Sequence, residues 1–244
     1  MATNRADCER MIEACRAAGT ALSVIKPWRY RGTGREAGKV LQTGRIGRVR
    51  MLQMLWLATG LPFVDKPWFR DPREGGPMLD AGSHCFDYLR WAADAEPVRV
   101  YARIEHFAAE QSAMVQVDFA SGAMGSLWLS YEIPTPGYSQ SLFRSRIVGE
   151  SGLLDVDGYG SLRLGQAESW TTLHEQEPID AIGRMLDWAR LEAFVLLVQD
   201  FVDAVDGGRV PPVTGFDGLA AVALVEASYE SSRRGQAVDV DLQP

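Results

Sequence analysis

Asp80, His84, Asp87 and Trp91 follow one another at intervals of four, three and four residues, the repeat that stacks side chains along one stripe of an α-helix. Met78, Leu79, Gly82, Cys85, Phe86 and Leu89 fall on the other, apolar side of the same expected helix. Two carboxylates thereby flank one imidazole. A histidine titrates near neutral pH, and a carboxylate one helical turn away favours its protonated form. The group therefore suits proton exchange with a substrate hydroxyl or carbonyl. The same spacing also describes a helix-surface histidine supported by i,i+4 charge pairs, and spacing alone does not separate the two.

Other residue types offer less. Arg29, Arg31 and Arg35 can line a pocket for an anion or a polyol, or stand in water as surface arginines. Gly32-Thr33-Gly34 follows a strand signal and opens a helix, as a dinucleotide loop does. Several bulky residues separate it from that strand, however, and Gln53, Met54 and Leu55 stand where a ribose-binding acid belongs, so a helix entry turn is the better reading. His106 and His174 have no acidic helical partners and read as structural. Cys8, Cys15 and Cys85 form no C-x-x-C pair, which argues against a disulfide framework and a zinc site, and the scattered histidines make no metal cluster. We expect metal-free chemistry. No Gly-x-Ser-x-Gly elbow is present, which disfavours a hydrolase.

The elements that must position these residues fall into two styles. Thr3 or Asn4 can cap a helix with the apolar stripe Cys8, Met11, Ile12 and Cys15, ended by Gly19, and a strand from Ala21 to Ile25 is expected next. This is half of a parallel α/β unit with no preceding strand to lie beside. A helix from Arg35 to Gln42 and a strand from Ile46 to Ala58 follow. Residues 59 to 77, with four prolines, read as a functional loop before a helix from Met78 to Ala93. From Val98 the hydrophobic period becomes two, with strands at Val98–Ile104, Met114–Ala120, Met124–Glu132, Leu142–Gly149, Leu153–Val156 and Leu162–Leu164. Helices at Trp188–Val205 and Asp217–Arg234 and a strand at Ala237–Asp241 complete the chain. The fold class expected is α+β, a mostly antiparallel open-faced sheet with helices on one face. Trp128 and Tyr131 on the strand faces make pairing of that sheet with another subunit, as a homodimer or higher homo-oligomer, the expected assembly.

The chain has 244 residues, 46% hydrophobic and 23% charged, with a net charge of -7. That is ordinary globular material whose charge repels phosphate backbones and anionic lipid heads, so neither nucleic acid nor a membrane is an expected partner. There is no apolar run of about 18 residues to span a bilayer and no apolar stretch near the N-terminus. A cytoplasmic location is expected.

The segment Gly75-Gly76-Pro77-Met78-Leu79-Asp80, with His84, Asp87 and Arg90-Trp91, resembles the signature of the glucose-fructose oxidoreductase and inositol dehydrogenase family. Further matches run in order along nearly the whole chain: Ala6-Asp7 through Gly19, Arg29-Tyr30, Gly44-Arg45-Ile46-Gly47, Trp68-Phe69-Arg70-Asp71, Ser121-Gly122-Ala123, Gly149-Glu150-Ser151-Gly152 and Tyr229-Glu230-Ser231. The resemblance implies hydride transfer between NAD or NADP and a hydroxyl or carbonyl of a sugar or cyclitol. It implies His84 as general acid/base and Asp80 as its orienting partner, substrate contacts from Asp87 and Arg29, and Arg70 near the nicotinamide.

Family members begin with a dinucleotide-binding domain carrying a glycine-rich loop and then a Glu-Lys-Pro motif whose lysine completes the catalytic group. Neither occurs here. The resemblance thus implies that residues 1–27 are the last helix and strand of a truncated Rossmann-like domain and that residues 28–244 form the C-terminal substrate-binding and oligomerisation domain. It implies a truncated form that binds no cofactor and is inactive alone; the alternative is a non-catalytic sheet domain for dimerisation or polyol binding. Lys26, before Pro27, is a candidate substitute for the absent lysine, but its expected strand is the wrong one for that role.

Overall fold

In the computed structural model, residues 1–59, 67, 75–106, 110–138, 141–177, 179 and 186–242 are described. Helix α1 spans Arg5–Ala17, and its cap is Asn4, whose side chain accepts from the Asp7 amide at 2.8 Å. Its stripe is covered by the chain's own last helix: Cys8 and Ile12 pack with Leu219, Val222 and Phe216. The segment after α1 is not a strand, which corrects the expectation for Ala21–Ile25. A strand needs a ladder partner, and the Leu22 carbonyl instead accepts from the Gly215 amide at the start of that last helix.

A single helical turn at Pro27–Arg29 leads into α2, Gly32–Gln42, which starts three residues earlier than expected. The early start draws Gly34 against the preceding turn: a Cβ there would lie 2.1 Å from the Trp28 carbonyl oxygen, so only glycine fits. Strand β1 is Val49–Ala58. After a wide helical turn at Met78–Gly82 comes α3, Ser83–Ala93, closed by Asp94 in a left-handed conformation.

The antiparallel region supplies β2 (Pro97–His106), β3 (Glu110–Phe119), β4 (Met124–Ser130), β5 (Ser141–Gly149), β6 (Leu153–Asp157), β7 (Ser161–Gln166) and β8 (Ser169–Glu175). Helices α4 (Trp188–Asp206) and α5 (Gly215–Arg234) and the short β9 (Val238–Asp239) follow. Strand β8 escapes the period-two reading because it is a sheet edge with most side chains exposed.

The strands form one sheet in the order β8-β7-β6-β5-β1-β4-β3-β2-β9, and only β1 and β4 run parallel. The inner face carries Leu52, Met54, Val115, Val117, Leu127 and Ile147, buried together with Met78, Cys85, Phe86 and Leu89 from the helical layer. The outer face is open: Met51, Tyr101, Met114, Met124 and Trp128 stand exposed, Trp128 at 45%. Tyr131 is not among them. Three residues beyond Trp128, it points to the opposite face and is 4% exposed, which corrects its assignment to the pairing surface. No helix among the described residues is long and apolar enough to cross a membrane.

Candidate active site

The helix start that bears the expected chemistry is not a regular α-helix. From Met78 to Gly82 the chain takes a wider turn, in which the Gly82 amide reaches back five residues to the Pro77 carbonyl at 2.9 Å. The wider turn shifts the angular position of Asp80 relative to α3, so Asp80 and His84 do not pair as a regular helix predicts. Asp80 Oδ2 instead accepts from the Tyr131 hydroxyl at 3.1 Å. Burial pushes the Asp80 carboxyl up, and the tyrosine bond opposes that. Tyr131 is a site residue that sequence reading missed; its only signal is an inward register position just past β4.

His84 has no acidic partner among the described residues either. Its Nδ1 is buried without a hydrogen-bond partner. Burial, then the nearby Lys26 ammonium, then the terminal amine hold its pKa down to about 3. The expectation of a carboxylate-supported, protonated imidazole is therefore reversed: the ring is neutral at neutral pH. Asp87, the second expected flank, faces away from His84. It is 2% exposed, and Arg29 grips it through Nε at 2.9 Å and Nη2 at 2.5 Å. Arg29 Nη2 also reaches Asp217 at 2.9 Å, and Arg90 joins Asp217 at 2.8 Å and the Glu96 carboxylate. Asp87 and Arg29, expected to contact substrate, are joined here in a buried ion-pair cluster tying the Pro27–Arg29 turn and α3 to α5.

Lys26, set aside on sequence grounds, is brought into the site. Only 6% exposed, it sends Nζ to the Ser83 carbonyl at 3.0 Å, one residue before His84. The strand that disqualified it does not form, so its position is set by the segment after α1. A cleft of 620 Å³ is lined by Lys26, Ser83, His84, Asp80, Ser23 and Leu79 among others, a size in the range of small-molecule sites. Neither Asp87 nor Arg29 lines it.

Arg31 lies over the Trp28 ring at 4.4 Å and Arg35 stands 4.0 Å from Glu192, both away from the cleft. Arg70 lies outside the described residues. Gly32 and Gly34 do not fit a dinucleotide: both are inside α2, and Cβ positions on them would meet the His174 ring at 2.4 Å and the Trp28 carbonyl at 2.1 Å, leaving no room for a pyrophosphate. No cluster of three or more His, Cys, Asp or Glu able to hold a metal exists among the described residues.

Residues 35–155 match the GFO/IDH/MocA C-terminal domain. The chain is 26% identical to a D-apiose dehydrogenase of Paraburkholderia graminis over 96% of its own length and 63% of that enzyme's. It is 28% identical to an inositol 2-dehydrogenase of Pseudomonas fluorescens over 99% of its length and 68% of the relative's. It therefore spans about two thirds of the relatives it matches. Among solved structures, the WlbA dehydrogenase of Bordetella pertussis, in complex with NADH and UDP-GlcNAcA, superposes with a TM-score of 0.74 at 26% identity, covering all of this chain and 70% of that one. Together with the nine-stranded sheet and its helical layer, these matches show that residues 35–155 are a C-terminal domain of the GFO/IDH/MocA family of oxidoreductases.

Proposed function

We propose that this chain forms the substrate half of an oxidoreductase site acting on a hydroxyl or carbonyl of a sugar or cyclitol, with NAD or NADP as the hydride carrier. The observation that carries the reading is the convergence of His84, Asp80 and Lys26 on one cleft. The neutral His84 ring is in the state needed to accept the hydroxyl proton as the carbon is oxidised, and it returns that proton in the reverse direction. Asp80, held by Tyr131, accepts a hydrogen bond from a neighbouring substrate hydroxyl and so orients the ring.

The turn at Gly32 and Gly34 leaves no room for a dinucleotide, and we derive no step through the hydride carrier. The test is titration of the chain with myo-inositol followed by NMR, alongside calorimetry with NADH. We expect saturable shifts at His84 that His84→Asn abolishes, and no saturable NADH binding. A polyol that leaves the His84 resonances unmoved overturns the substrate site, and tight NADH binding overturns the division of labour. The open outer sheet face favours a second role in homo-oligomer assembly.

A further inference from the structure

Lys26 brings a buried positive charge to the cleft, beside the terminal ammonium of Met1. Among the described residues the Lys26 ammonium makes one hydrogen bond, to the Ser83 carbonyl, and no ion pair. The carboxylates whose fields reach it are Asp87 and Asp217, and both are bound by Arg29, with Arg90 taking a further bond to Asp217. Asp80, the carboxylate that lines the same cleft, is bound to Tyr131. A buried ammonium with donors to spare costs free energy until an anion meets it. The neighbouring imidazole carries no negative charge to balance it, while the Ser23 and Thr3 hydroxyls on the cleft wall make no hydrogen bonds among the described residues.

We propose that the cleft selects a substrate bearing a carboxylate, a sugar acid rather than a neutral polyol, with the carboxylate seated on Lys26 and the hydroxyl to be oxidised at His84. This rests on the substrate-site reading above and narrows its substrate class. Two functions follow for Lys26. It anchors the acid by a charge-assisted hydrogen bond, worth more in a desolvated site than on the surface. Burial is the first cause of the low His84 pKa and the Lys26 charge the second; a carboxylate bound to Lys26 offsets that second part, so the imidazole becomes a stronger base when the acid is in place.

The test compares D-glucuronate with D-glucose, which share a ring and differ at one carbon, by NMR titration of the whole chain. We expect glucuronate to bind at least about tenfold more tightly and to raise the pKa of His84, and acetate to compete with it. Lys26→Met should reduce glucuronate to the level of glucose, whereas Lys26→Arg, which keeps the charge, should retain a preference. If Lys26→Met does not fold, the acid preference and the acetate competition in the unaltered chain decide the matter. Equal affinity for the two sugars overturns the acid class and leaves a neutral-polyol site standing. Failure of both sugars and of myo-inositol to shift His84 removes the proposal and the substrate site together.

Discussion

Tyr131 donates its hydroxyl to Oδ2 of Asp80 at 3.1 Å, across the interface between the sheet and the turn that precedes α3. The bond joins the end of β4 to the wide turn at Met78–Gly82 and offsets part of the burial penalty on the carboxylate. Tyr131→Phe should cost about 1–3 kcal/mol in urea unfolding at pH 7 and push the Asp80 carboxyl higher still. Unchanged stability together with an unchanged Asp80 titration would show that the bond does not form in solution.

Arg29 and Asp87 make a two-point contact with almost no exposure to water. Removing one partner strands the other charge: Asp87→Leu should lose about 3–5 kcal/mol. The double substitution Arg29→Met with Asp87→Leu should recover much of that loss, because the stranded charge is then absent. A double variant as unstable as the single one would mean that packing and not charge accounts for the cost.

The pKa of His84 is depressed to about 3, by burial first and Lys26 second, against an unfolded value of 6.5. Between those values the unfolded chain binds a proton that the folded chain refuses, so stability is at its full level above pH 6.5 and falls as pH drops toward 3. His84→Asn should flatten that decline. Urea midpoints at pH 7, 5 and 4 check this, and parallel pH profiles for the two proteins would contradict the neutral buried ring.

Trp128 and Met114 sit opposite each other on β4 and β3, exposed on the outer face at 45% and 54%. If that face mediates self-association, Trp128→Asp should shift the sedimentation of the chain to the monomer without lowering its melting temperature. A monomeric parent protein would remove this role for the face.

Much of the architecture was legible from residue order. Eight of the nine strands were marked outright or within a few residues, six of them by period-two runs, and the 3.6-residue periods marked four of the five helices closely, because each such element buries one face and its apolar pattern records which. Strand β8 was not legible, since an exposed edge writes no such pattern. The segment at residues 20–26 looked like a strand because β-branched residues favour one, yet strand formation depends on a neighbour that propensity cannot supply.

The site divides in the same way. Sequence alone determined that Asp80 and His84 would lie close together at the head of one helix, since local spacing suffices for that. It could not determine what either would touch. The wide turn separates the pair, Tyr131 arrives from the far end of β4, and Lys26 comes from a segment nearly sixty residues earlier. Asp87 and Arg29, the substrate contacts that the resemblance implies, are bound to each other across 58 residues of chain. Those partnerships are long-range, and the state of the imidazole follows from them: its neutrality is a property of the burial and the foreign charge that tertiary packing brings to it, which no spacing of neighbours along the chain encodes.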